Sequence, residues 1–309
     1  MYTVNDYCRD LFGEKLYKIA LNGGMTCPNR DGSLGTGGCI FCSEGGSGDF
    51  APPGDMDIDR QIDEAKKRIS GKYHGSRYIA YFQAYTNTYA PVSRLEPLFT
   101  HVISRQDTAV LAIATRPDCL GNDMLDLLCR LSRIKPVWVE LGLQTIHKRT
   151  SDYIRRGYEL DIYDKAVKDL ISAGIHVITH VILGLPGESS DDMLETVKYV
   201  IAQYEKHAIR FPQPNRTAAG GIKLQLLHVL EGTDLADDYR NGLFEVLSLE
   251  EYTEIVCRCI KIIPNNTVIH RITGDGPKRL LIAPLWSADK KNVLNTLNKA
   301  IRNGNTQNQ

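Results

Sequence analysis

The chain has 309 residues, and its 37 Lys plus Arg balance 37 Asp plus Glu, so the zero net charge excludes a globally basic nucleic-acid coat and leaves room only for a local basic patch. The length suits one large domain or two small ones, and a single α/β barrel of this size buries its core without staples. No stretch has the apolar length of a membrane span, the N-terminus carries no apolar signal region, and eight unevenly placed cysteines do not make a secreted disulfide framework, so a reducing, cytoplasmic setting is expected.

Strand-like runs alternate with amphipathic helices along the chain. Leu16 to Leu21 is expected as a strand, and Ile58, Ile62, Ala65 and Ile69 follow helical spacing with Asp55 or Asp57 as cap. Tyr78 to Phe82 reads as a second strand, then a helix carries Leu95, Leu98, Phe99 and Val102 with Ser93 as its cap. Strands at Ala109–Ala114, Val137–Leu143, Val177–Leu183 and Leu224–Val229 are separated by helices at Met124–Leu131, Ile162–Ala173 and Asp191–Tyr204. Repeated β-then-α order means parallel strands with right-handed crossovers. The expected fold is therefore α/β, a partial (β/α)6 TIM-like barrel over 1–246, six units being short of the eight of a full barrel. From 247 the order loosens: a helix at Leu249–Ile263, a strand at Thr267–Ile272, a Gly/Pro loop and a last helix near Lys290–Ile301 are expected to form a C-terminal α/β extension, 247–309, packed on the same domain.

The least ordinary stretch is Cys27-Pro-Asn-Arg-Asp-Gly-Ser-Leu-Gly-Thr-Gly-Gly-Cys39-Ile-Phe-Cys42, which follows the first strand. The Cys39-x-x-Cys42 pair can serve one metal centre from one turn, and Cys27 can reach it across a loop loosened by Gly32, Gly35, Gly37 and Gly38. Three thiolates leave two readings open. A structural zinc site needs a fourth ligand, such as a distant His, whereas a cubane iron–sulfur cluster on three thiolates keeps one iron open.

In barrels of this kind the working residues sit past the C-terminal ends of the strands. Those positions hold Gln83-Ala-Tyr-Thr-Asn-Thr-Tyr89, Thr115-Arg116-Pro117-Asp118, Glu140 with Gln144, Gly184-Leu-Pro-Gly-Glu188, and His228 before Glu231-Gly-Thr233. Each also has an ordinary explanation. Gly184 opens a common strand-to-helix turn, and Arg155 and Arg156 suit a solvated helix end as well as an anion clamp. Glu140 inside an apolar strand demands a partner, and Arg116 one strand away is the candidate, whether as a structural ion pair or at a ligand. Cys257 and Cys259 point to different helix faces and cannot share a site, while Cys8 and Cys129 read as small apolar fillers.

Together the cysteine loop with Phe41, Thr115-Arg-Pro-Asp118, Glu140-Leu-Gly-Leu-Gln144 and Gly184-Leu-Pro-Gly-Glu188 resemble a radical S-adenosylmethionine (SAM) enzyme. More narrowly, the chain is similar to the branch of YhcC- and YtqA-like proteins, related to the radical SAM domain of the Elongator catalytic subunit. The wide gap from Cys27 to Cys39 departs from the commonest superfamily spacing and is usual in that branch. The resemblance implies that Cys27, Cys39 and Cys42 hold a [4Fe-4S] cluster and that SAM, bound at the open iron, is cleaved reductively to a 5′-deoxyadenosyl radical. By position, it implies Gln83 near the SAM amino group, Arg156 at its carboxylate, Glu140 and Gln144 near the ribose and methionine parts, and Phe41, Gly184 and the backbone near His228 beside the adenine, with Arg116 also among the cofactor-binding residues. A reducing electron donor such as flavodoxin or ferredoxin is implied as well.

The same resemblance implies a tRNA substrate, in which a wobble-uridine carboxymethylaminomethyl group becomes aminomethyl before a partner methyltransferase acts. Two basic groups suit an RNA surface: Arg210 and Arg216, in a segment from Lys206 expected to be a loop, and Arg271 with Lys278 and Arg279. The alternatives are a radical SAM enzyme acting on a small metabolite and a non-catalytic zinc-binding module.

Overall fold

Runs such as Ala-Val-Leu-Ala-Ile-Ala at 109–114 are short and uniformly apolar, the pattern of strands covered on both faces. The computed structural model describes residues 1–46, 48–210, 218–274 and 276–306. Among the described residues the strands are β1 (Tyr17–Leu21), β2 (Tyr78–Phe82), β3 (Thr108–Thr115), β4 (Val137–Gln144), β5 (His176–Leu183), β6 (Gly220–Leu226), β7 (Val229–Leu230), β8 (Thr267–Arg271) and β9 (Leu281–Ala283). Seven of them form one sheet in the order β1-β2-β3-β4-β5-β6-β8, every neighbouring pair parallel. The sheet is a curled, open barrel of the expected α/β class. The strand at 267–271 extends it as a seventh member, and β7 pairs antiparallel with β9 beside it.

Helices cover the outer face of the sheet. Leu95 and Phe99 of the Val92–Ser104 helix, Leu127 of Asn122–Ser132 and Val167 of Leu160–Ser172 join Leu111, Val139 and Val177 of the strands in one apolar layer. A second cluster fills one end of the barrel interior with Ile79, Val110, Ala112, Trp138, Ile178 and Val268. The helix Val4–Phe12 closes that end: its Tyr7 ring stacks on Trp138 with centroids 5.7 Å apart. This helix is not among the expected elements, although Thr3 and Asp6 form a capping box at its start and Gly13 ends it in the left-handed conformation.

Three expectations need correction. The Val92–Ser104 helix begins after Pro91, and Ser93 is not its cap. The helix expected at Asp191–Tyr204 spans Ser190–Arg210, so Lys206 and Arg210 extend it rather than enter a loop, and His207 is buried on it. The sixth strand starts at Gly220 rather than Leu224. A glycine pair carries no apolar signal, and here the absent side chains make room for neighbours: a Cβ on Gly220 would lie 2.6 Å from the Tyr204 ring, and one on Gly221 2.5 Å from His270.

Trp138 is 1% exposed at the contact between the Val4–Phe12 helix and the sheet. Trp138→Ala should cost about 3–5 kcal/mol in denaturant unfolding, whereas Leu285→Ala, at a side chain 71% exposed, should stay within about 0.5 kcal/mol of the parent.

Candidate active site

The cysteine loop is held by its own polar residues. Cys42 N–H donates to Cys39 C=O at 2.9 Å, closing a tight turn, and Arg30 N–H donates to Cys27 C=O at 2.8 Å. Asn29 is buried and joins the two halves: its carbonyl accepts from Gly38 N–H at 2.7 Å, while its side-chain amide donates to Arg155 C=O at 2.7 Å and reaches Cys39 Sγ at 3.4 Å. Arg30 crosses the loop to donate to Cys42 C=O at 3.1 Å and Ser43 C=O at 2.6 Å. Gly38, at φ 74°, permits that crossing, because a Cβ there would lie 2.9 Å from Arg30 Nε.

All three loop cysteines open onto one cavity. Its walls include Phe41, Arg116, Glu140, Gln144, Arg156 and His180. A second cavity adjoins it, sharing Phe41, Cys42, His180 and Gln225, and adding Gln83, Lys223, His228 and Arg271. The fold thus brings Phe41, Arg116, Glu140, Gln144 and Arg156 to the cysteine cavity, and Gln83 and His228 to its neighbour. Gly184 lines neither cavity; its backbone, at φ 91°, packs against Leu247. Lys278 and Arg279 are exposed, and Arg279 lies 3.6 Å from Asp49, a wall residue of the second cavity. Arg216 lies outside the described residues.

The electrostatics set Cys39 apart from the buried cysteines elsewhere in the chain. A hydrogen bond from Cys42 lowers the Cys39 thiol to about 7 against the cost of burial, with Arg116, Asn29 and Arg30 also favouring the thiolate. Cys42, holding the proton of that pair, is raised. Burial pushes Cys8 up to about 11 and Cys119 and Cys259 up to about 12. Thiolate is the ligating form, and an amide N–H and two guanidinium groups around clustered sulfurs suit an anionic iron–sulfur centre.

The expected Glu140–Arg116 partnership does not form. Arg116 pairs instead with Asp118 in a two-point contact at 2.7 and 2.9 Å. Glu140 has no solvent exposure and takes its partners from across the barrel: Lys18 Nζ at 2.5 Å, Tyr81 Oη at 2.7 Å, His180 Nε2 at 2.8 Å, and Lys223 Nζ. Burial alone would raise its carboxyl, but Lys18, Lys223 and His180 outweigh that and hold it well below the usual carboxylate range. Arg156 is also buried, and its guanidinium donates to the carbonyls of Leu143, Thr145 and Tyr158 with Tyr158 stacked 4.6 Å away, which fixes the end of β4.

Sequence reasoning missed Lys18, Tyr81, His180 and Lys223. The signal that singled out Glu140, an ionisable side chain inside an apolar strand, applies equally to Lys18, His180 and Lys223. Backbone strain was not legible either. Among the described residues the non-glycine positions with positive φ are Tyr85, Gln144 and Arg155, and the first two line the cysteine cavity.

Burial and the neighbouring Lys223 lower His180 to about 4 despite its bond to Glu140. Its imidazole should therefore stay neutral from pH 7 down to 5. In histidine-labelled protein its ring resonance should move only near pH 4, whereas titration near 6.5 would mean that the ring is not held in this cluster.

Residues 27–200 match the Radical SAM superfamily, and residues 219–303 match the Radical SAM C-terminal domain. The chain is 44% identical over 302 residues to YtqA of Bacillus subtilis, covering 98% of this chain and 89% of that protein. It is 35% identical over 291 residues to YhcC of Escherichia coli, covering 93% and 88%. To the tRNA uridine(34) acetyltransferase of Methanocaldococcus jannaschii it is 27% identical over 172 residues, covering 56% of this chain and 29% of that protein. Among solved structures, the archaeal Methanocaldococcus infernus Elp3 superposes with a TM-score of 0.61 at 18% identity, covering 86% of this chain; the present chain spans 58% of that one.

Proposed function

The chain belongs to the radical SAM superfamily, whose cofactors are a [4Fe-4S] cluster and SAM, and from that premise we propose that Cys27, Cys39 and Cys42 hold the cluster and that the cavity beneath them receives SAM. The observation that carries this reading is the convergence of the three cysteines, Arg116, Glu140, Gln144 and Arg156 on one cavity that opens into a second, polar one. When bound, the cluster and SAM supply reductive cleavage of SAM and abstraction of a hydrogen atom from the substrate.

The protein's own residues bind, orient and exclude water. Asn29 and Arg30 tie the cysteine-bearing turns of the loop together, Asn29 at Cys39 Sγ and Arg30 at the Cys42 carbonyl. Arg116 and Arg156 give the cysteine cavity a cationic side suited to the SAM carboxylate. Phe41 stands on both cavities and suits the adenine face, with Gln83 and His228 on its far side. We place the substrate in the second cavity, whose polar wall meets the first at Cys42 and His180.

For the substrate we propose the tRNA wobble uridine, with a carboxymethylaminomethyl group converted to aminomethyl, an external reductant of the flavodoxin or ferredoxin type, and a partner methyltransferase acting afterwards. Support comes from the similarity to the tRNA uridine(34) acetyltransferase over 172 residues and from basic side chains: Arg271 lines the second cavity, Lys278 and Arg279 are exposed, and Arg279 lies 3.6 Å from Asp49 of that cavity's wall. Arg210 and Arg216 complete the proposed RNA surface.

Anaerobically purified protein should carry about four irons per chain. Cys42→Ala should lose them and Cys257→Ala should keep them; stoichiometric zinc without iron would instead support the zinc-module reading. Nucleoside analysis of tRNA from a deletion strain should show carboxymethylaminomethyluridine accumulating at the wobble position. An unchanged wobble profile would remove tRNA and leave a small metabolite as substrate. Lys278→Glu with Arg279→Glu should weaken tRNA binding and flatten its salt dependence by roughly one unit per lost phosphate contact, with iron content unchanged.

A further inference from the structure

The wall of the second cavity carries an aromatic ring that the site described so far does not use. Phe50 is 51% exposed and, among the described residues, is the one exposed phenylalanine. It lines the second cavity and not the cysteine cavity, whereas Phe41 lines both. A single apolar side chain in solvent is ordinary. This one is set at a cavity wall by a loop anchored on both sides of it. Before the ring, the buried Ser43 donates its hydroxyl to Asp49 at 2.8 Å, and the Gly46 and Ala51 N–H groups close turns onto the Ser43 and Gly48 carbonyls, each at 2.8 Å. After it, Pro52 is buried, and its carbonyl accepts from the Asn22 side-chain amide at 3.2 Å. The loop thus holds the ring at the wall while half of it stays in water, a placement that contributes little apolar burial to folding.

Gln83 and Gln225 line the same cavity, and a primary amide both donates and accepts. An apolar ring face beside such amides matches a flat heteroaromatic ring, whose faces are apolar and whose edge carries donors and acceptors together. We propose that Phe50 is a stacking platform of the second cavity and that it takes a nucleobase of the substrate face to face. This inference rests on the reading of the second cavity as the substrate chamber, and it names the part of the substrate that meets the exposed ring. A ligand without a planar ring would gain only contact area there, which a leucine supplies as well.

The test uses cluster-loaded protein, kept anaerobic, saturated with SAM and free of reductant, so that SAM stays intact and the probe meets the second cavity. The probes are uridine and 5,6-dihydrouridine, which share their polar groups but differ in that the second ring is puckered and not aromatic. Uridine should raise the thermal midpoint of the parent saturably and at lower concentration than dihydrouridine. Phe50→Leu should lose that preference, Phe50→Trp should keep it, and Ile134→Ala, at a side chain 48% exposed outside both cavities, should match the parent. Phe50→Leu keeps an apolar side chain of similar size, so it carries the test where Phe50→Ala unfolds. No response of the parent to uridine, equal responses of the parent to the two probes, or an unchanged preference in Phe50→Leu overturns the platform.

A second arm measures binding of tRNA from a deletion strain, which Phe50→Leu should weaken about tenfold. If the uridine preference is present and Phe50→Leu abolishes it, yet tRNA binds the two proteins alike, the platform stands and the tRNA reading falls. If tRNA binds and no uridine preference is found, the tRNA reading stands and the platform falls.

Discussion

Glu140 on β4 is reached by Lys18 from β1, Tyr81 from β2, His180 from β5 and Lys223 from β6. In a flat sheet, β1 and β4 would stand about 14 Å apart, three strand spacings. A contact of 2.5 Å between Lys18 and Glu140 requires the sheet to curl so that the two strands face one another across an interior. The fully buried carboxylate therefore depends on the barrel's curvature, and the curvature is in turn tied by the ion pairs that cross it. Removing Glu140 from this cluster would leave buried lysine ammonium groups uncompensated, at a cost of about 3–5 kcal/mol. The residues that give this chamber its chemistry are thus also the ones that hold its shape.

The cysteine loop rests on that frame through different forces. Its ordering comes from short polar contacts within the loop and to the turn at Arg155, and from Ile40, which is buried in an apolar cluster with Ile154, Ile182, Leu227 and Leu235. The strained positions Tyr85, Gln144 and Arg155 surround it, each with a backbone energy on the order of 1–3 kcal/mol above the relaxed value. That strain falls where the ends of β2 and β4 must turn outward to line a cavity, and Arg156 counters it at β4 by binding three carbonyls at once.

Much of this architecture was legible in the sequence because uniformly apolar runs alternate with amphipathic ones, and that pattern survives without tertiary information. The β6 start was missed because a glycine pair carries no apolar signal, and what needs Gly220 and Gly221, room for the Tyr204 ring and His270, lies in the tertiary packing. The partner of Glu140 was misread for a related reason. Arg116 is near on an adjacent strand, but curvature brings Lys18 and Lys223 nearer, and a linear sequence carries no curvature. The period-two alternation of a strand does carry the inward set. Glu140 shares its face of β4 with Trp138 and Gln144, Lys223 shares its face of β6 with Gln225, and His180 shares its face of β5 with Ile178 and Ile182, so strand parity alone groups the polar residues that meet in the interior.

The helix Val4–Phe12 gives the barrel a closed end. With Tyr7 stacked on Trp138, that end of the interior is filled with side chains, and the polar residues line the interior toward the cysteine rim. Along β6, Gln225 near the mouth and Lys223 at the floor are two residues apart, which sets a depth of about 7 Å. A substituent a few bonds long spans that distance. A ligand that touches both the rim and Lys223 must therefore span that length, so reach, as well as charge, enters what the interior can bind.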